Sequence, residues 1–165
     1  MAEDTSGSGG GHGSKIRAET AASRRGANVP EYGRSYRYAG GGSVGVPTSR
    51  RAEAAQSKNE RGKFAKELRT ARVFAHAGYR IDFTPKGAGT HDVFINGVPA
   101  DIKQLSSHNN IARHARHATK RQGAKMVLFE FTKRTAEIEG ELMTLKSKGI
   151  HGKYFYRGEN IIRDF

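Results

Sequence analysis

The 165-residue sequence contains no cysteine. That excludes a disulfide framework, Cys-ligated zinc, iron–sulfur clusters and thiol nucleophiles together. It also lacks any run of about 18 apolar residues, so no transmembrane helix is expected. The opening residues, Met1-Ala2-Glu3-Asp4-Thr5-Ser6-Gly7, offer neither a basic n-region nor an apolar h-region. We therefore expect no secretory signal, no membrane association and a cytoplasmic protein. Hydrophobic residues make up 35% of the chain, below the ~45–50% usual for globular domains. Acidic residues are scarce as well: 16 Asp and Glu face 29 Lys and Arg, a formal net charge of +13. An excess of that size favours a polyanionic partner, and nucleic acid is the first candidate.

Glycine is plentiful but unevenly spread, with eleven of 21 lying before residue 59. That stretch includes Gly7 and Gly9-Gly10-Gly11, then Gly40-Gly41-Gly42, and has few aliphatic residues. Its nine basic and five acidic residues follow no helical or strand period. Residues 1–57 are therefore expected to form a flexible, disordered N-terminal arm. Arg24, Arg25, Arg34, Arg37, Arg50 and Arg51, interleaved with Tyr32, Tyr36 and Tyr38, could brush a phosphate backbone.

Nearly all apolar patterning falls in residues 58–165, long enough for one core and free of internal repeats. A helix is expected over about 59–77, closed by Gly78. Tyr79–Phe83 alternates as a strand, and Pro85, Gly87 and Gly89 mark a loop. Asp92–Ile95 and Val98–Lys103 flank Asn96-Gly97, the strongest two-residue hairpin signal. Further helices are expected at 110–122 and 134–147, with an apolar strand at 126–131 between them. Tyr154–Tyr156 and Ile161-Ile162 suggest a closing hairpin. The expected class is α/β (α+β), a mixed sheet flanked by helices.

Charges recur where a core should lie. At about 100° per residue, Phe64, Leu68, Ala71, Phe74 and Ala75 share one stripe of the first helix, and Glu67 sits inside it. A carboxylate there is costly unless it is paired or bound to metal. On the strand, Asp101 and Lys103 point to one side while Ile102 points to the other. Asp92 begins the paired strand, and no second (Asp/Glu)-x-Lys occurs in the chain. Two carboxylates and a backbone carbonyl suit Mg²⁺, which keeps several of its waters. Such a metal activates water and neutralises a phosphorane, and an adjacent ammonium helps.

Glu67 to Tyr79 (E-L-R-T-A-R-V-F-A-H-A-G-Y), His91-Asp92-Val93 and Ala100-Asp101-Ile102-Lys103 resemble the PD-(D/E)xK nuclease superfamily, with His91 where the motif has Pro. Residues 92–131 are most similar to the C-terminal tRNA-nuclease domain of contact-dependent growth inhibition toxins. The matching runs are D-V-F-I-N-G-V-P-A-D-I-K, S-S-H-N-N-I-A-R-H-A-R-H-A and K-R-Q-G-A-K-M-V-L-F-E-F. G-I-H-G-K-Y-F-Y at 149–156 extends the likeness, which covers about 66–165.

The resemblance implies a restriction-endonuclease-like core and a metal-dependent endoribonuclease. It assigns catalysis to Glu67, Asp92, Asp101 and Lys103. The metal, Mg²⁺ or alternatively Mn²⁺, would be held by Asp92, Asp101, the Ile102 carbonyl and, through water, Glu67. RNA or tRNA is the implied substrate, and an acidic immunity protein the implied partner. Lys63 and Lys66 on the first helix, with Arg113, Arg116 and Lys120 on the second, form a candidate phosphate track. Gln122, on the inward stripe of the second helix, is a further candidate for orienting the site or the nucleic acid. His114 and His117 lack a third ligand for zinc. Two rival readings stand beside this one: a DNA endonuclease of the Holliday-junction-resolvase or restriction type, and a non-catalytic basic nucleic-acid-binding module. The oligomeric state is left open by the sequence.

Overall fold

The computed structural model describes residues 32–165. Over them the chain is α+β, with mixed β-pairing flanked by helices. It divides into two compact units, one ending at Ala88 and the other spanning Gly89–Phe165.

The first unit corrects the expected arm. Residues 1–31 lie outside the described residues, but 32–57 carry regular structure. Strands β1 (Tyr32–Arg37) and β2 (Ser43–Pro47) form an antiparallel hairpin, and helix α1 (Thr48–Ala55) follows directly. Every residue of β2 is buried. It pairs in parallel with β3 (Arg80–Phe83), Val44 opposite Ile81. The folded chain therefore begins well before residue 58.

The glycines that read as linker are a packing requirement. A Cβ on Gly42 would lie 1.9 Å from the Ala75 carbonyl oxygen, so only glycine lets the hairpin turn cross the end of the following helix. That helix, α2 (Lys58–His76), is capped at its start by Ser57, whose hydroxyl accepts the Glu60 N–H at 3.1 Å. Gly78, at φ 103°, closes it as expected. Ala71, Phe74 and Ala75 on the expected stripe are fully buried, and Thr70 joins them.

The second unit keeps the expected order of elements. β4 (Val93–Ile95) and β5 (Val98–Leu105) form an antiparallel hairpin through Asn96 and Gly97, at φ 48° and 88°. Both residues adopt the positive φ of a twist-matched two-residue turn. Helix α3 (Ile111–Arg121) leads to β6 (Met126–Phe131), which pairs in parallel with β5. Helix α4 (Ala136–Ser147) leads to β7 (Gly152–Tyr156), again parallel to its neighbour β6. The closing strand β8 is Arg163–Asp164, antiparallel to β7. The apolar pair expected there does not form it: Ile161 is 56% exposed, and Phe165 supplies the buried ring instead. Ile111, Ala115 and Ala118 of α3 and Ile138, Leu142 and Leu145 of α4 pack with Val127, Phe129 and Phe131 in one core. Both helices thus pack against β6, and α3 also contacts β5.

Candidate active site

The β4–β5 hairpin is where charge enters the interior. β4 begins at Val93, opposite Ala100, so beyond that pair the ladder has no further strand residues to use. Side chains continue it. Asp92 Oδ2 accepts the Ile102 N–H at 2.9 Å, and Asp101 Oδ1 accepts the Asp92 N–H at 3.1 Å. Each carboxylate thereby satisfies a backbone donor that would otherwise be stranded. The exchange also brings the two acids together.

Asp101 is completely buried, whereas Lys103 keeps 18% of its side chain exposed. The two sit on the same side of β5, as alternation requires, with Lys103 Nζ 2.7 Å from Asp101 Oδ2. That oxygen receives no hydrogen bond of good geometry. Its acceptor capacity is neutralised by the ammonium but not used up. Lys103 also donates to Gln122 Oε1 at 3.2 Å, and Gln122 Nε2 reaches the Thr90 carbonyl at 3.5 Å. Gln122 follows directly on α3, so the helix end connects Lys103 to the loop before Asp92.

His114 of α3, in the sequence no more than half of an incomplete zinc pair, has a different setting in the fold. Burial, reinforced by the charges of Arg113, Lys103 and His117, pulls its imidazole below the ordinary value and favours the neutral form. It belongs to the electrostatic surroundings of Lys103. No local sequence signal links residues 103 and 114; the packing of α3 does.

Glu67 lies in the first unit, on α2. Its carboxylate is 14% exposed and meets Arg50 Nη2 at 3.4 and 3.5 Å. Arg50, expected to meet phosphate from a loose arm, is itself 14% exposed and faces inward. Lys63 and Lys66, with Lys58, Asn59 and Gly62, lie exposed along the α2 surface. Arg113, Arg116 and Lys120 are exposed on α3.

The structure therefore brings Asp92, Asp101, Lys103 and Gln122 together in one unit and gives Glu67 an ion-paired setting in the other. Among the described residues, no group of three or more His, Cys, Asp or Glu forms a metal cage. A cation here would rest on two carboxylates, a main-chain carbonyl and water. That donor set suits a hard cation such as Mg²⁺, and the underused Asp101 Oδ2 fits it. No described helix is long and apolar enough to cross a membrane.

No protein-family model matches the chain, and no curated protein matches it by sequence. Among solved structures it is similar to a chain of the CdiA-CT/CdiI toxin and immunity complex from Burkholderia pseudomallei. The TM-score is 0.52 at 18% identity, covering 67% of this chain and 89% of that one. The likeness is one of fold.

Proposed function

We propose that the protein is a metal-dependent endonuclease that hydrolyses RNA, with tRNA as the favoured substrate. The observation that carries this reading is the buried Asp101, flanked by Asp92 and Lys103 on the hairpin. Asp92, Asp101 and the Ile102 carbonyl would hold the cation, Mg²⁺ or Mn²⁺. When bound, it lowers the pKa of a coordinated water and neutralises charge growing on the phosphoryl group. Lys103, kept in place by Asp101 and Gln122, orients the attacking water or stabilises the developing negative charge. The family resemblance assigns Glu67 the part of a water-orienting carboxylate. Lys63, Lys66, Arg113, Arg116 and Lys120 supply phosphate contacts, so binding should weaken steeply with salt.

RNA is favoured over DNA by the resemblance to tRNA-nuclease domains. The shared fold with a chain of a toxin and immunity complex supports the toxin reading, and the basic surface would suit an acidic partner that covers it. The test is cleavage of tRNA, duplex DNA and branched DNA side by side, in Mg²⁺, Mn²⁺ or excess EDTA. The proposal expects tRNA cleavage that EDTA stops. Cleavage of branched DNA alone would establish the resolvase-type alternative. Binding without cleavage in any metal would establish the non-catalytic module.

A further inference from the structure

Arg50 belongs to a helix that the sequence gives little reason to expect, yet its surroundings are tightly constrained. The guanidinium carbon lies 5.3 Å from the Phe83 ring centre and 5.9 Å from that of Phe64. Those rings come from β3 and α2, and they contact each other at 5.1 Å. From this aromatic seat one nitrogen faces both oxygens of Glu67 at 3.4 and 3.5 Å.

Helix α1 is anchored to the chain after β3 by two further contacts. Ser49 Oγ accepts the Lys86 N–H at 3.1 Å, and Lys86 Nζ pairs with Glu53 at 2.7 Å. The Lys86 hydrogen bond holds Glu53 below its ordinary value, against the opposing effect of burial. Glu53 in turn stands 3.9 Å from Arg50 Nε. Lys86, Glu53, Arg50 and Glu67 thus form a chain of alternating charge ending at the carboxylate. The last contact is longer than the ~2.7–2.9 Å of a strong charge-assisted hydrogen bond. It orients and charge-balances Glu67 without clamping it.

We propose that Arg50 is a positioning residue for Glu67. This rests on the nuclease reading above and on the role that reading gives Glu67. Stacked on two rings and braced by Glu53, the guanidinium fixes the direction of the carboxylate. A lysine at the same position keeps the charge but loses the planar stacking and the fork.

The experiment compares wild type, Arg50→Lys, Glu67→Gln and the double variant in the full-length chain, under steady-state conditions on tRNA, with thermal melts alongside. Arg50→Lys is the primary variant because it retains charge and covers the rings; Arg50→Ala, which uncovers them, serves as the more severe comparison. The expected result is a loss of about tenfold or more in kcat for Arg50→Lys, with KM within about twofold, as misorientation of a reacting group produces. In the Glu67→Gln background, Arg50→Lys should add less than about twofold, because residues acting as a unit are not additive. An unchanged kcat, a rise confined to KM, or a loss that multiplies with Glu67→Gln would each overturn the assignment while leaving the nuclease reading intact. A wild-type chain inert towards every nucleic acid and metal would sink the nuclease reading and this assignment with it.

Discussion

Asp92 and Asp101 are locked by reciprocal use of the hairpin backbone: the first accepts the N–H of Ile102, and the second accepts the N–H of Asp92. Each acid therefore has a structural duty and, as proposed, a catalytic one. Asp101→Asn keeps the shape but removes the charge. It should abolish metal-dependent cleavage, by a factor of about 10² or more, while circular dichroism stays native. Asp101→Ala should in addition lower the unfolding free energy by about 1–3 kcal/mol, because the Asp92 backbone donor loses its acceptor and Lys103 its counter-charge. Urea denaturation read beside cleavage separates the two effects.

Lys103 and Gln122 give a graded pair. Lys103→Ala should eliminate cleavage and relieve any toxicity of expression. Gln122→Ala leaves the lysine charged but loosens one of its two tethers, so an intermediate loss of about tenfold in kcat is expected. Equal effects of the two substitutions would argue that Gln122 contacts the nucleic acid directly instead of acting through Lys103.

The tyrosines of β7 predict alkaline lability. Burial, aided by the hydrogen bond to Glu139, pushes Tyr156 up to about 12, and burial also raises Tyr154. Both phenols are neutral in folded and unfolded chains below about pH 10. Above it the unfolded chain ionises first, so stability is intact below about pH 10 and falls as pH rises towards about 12. Tyr156→Phe should flatten that fall. At neutral pH it should cost about 1 kcal/mol from the lost 3.1 Å bond to Glu139. Thermal melts from about pH 8 to the alkaline limit of the fall check both statements.

Two glycines of the first unit should respond in opposite senses to alanine. Gly42→Ala drives a methyl group into the Ala75 carbonyl and should destabilise by about 1–3 kcal/mol or more. Gly62, inside α2, has nothing within 4 Å of the place a methyl group would take, so Gly62→Ala should stabilise by up to about 1 kcal/mol. If Gly42→Ala were silent in denaturant titrations, the β1–β2 hairpin would not be integral to the fold.

What the sequence determined by itself is whatever a short stretch encodes. Asn96-Gly97 dictates a turn, Asp101 and Lys103 share a side because a strand alternates, and Met126–Phe131 is apolar enough for an interior strand. Those rules alone place the acidic pair and its lysine on one hairpin. Composition sets the basic character of the chain and rules out thiol chemistry.

Tertiary structure decided the rest, because those features depend on partners distant in sequence. β2 looks like linker, Ser-Val-Gly-Val-Pro, until Val44 pairs opposite Ile81 and the α2 end covers Gly42. Arg50 reads as a solvated arginine until Phe64, Phe83 and Glu67 enclose it. His114 gains part of its shift from Lys103, across a loop and a helix turn. Local propensity acts over a few residues, whereas burial and charge pairing act over ångströms in space. Only the folded chain could turn an apparent arm into a support for Glu67.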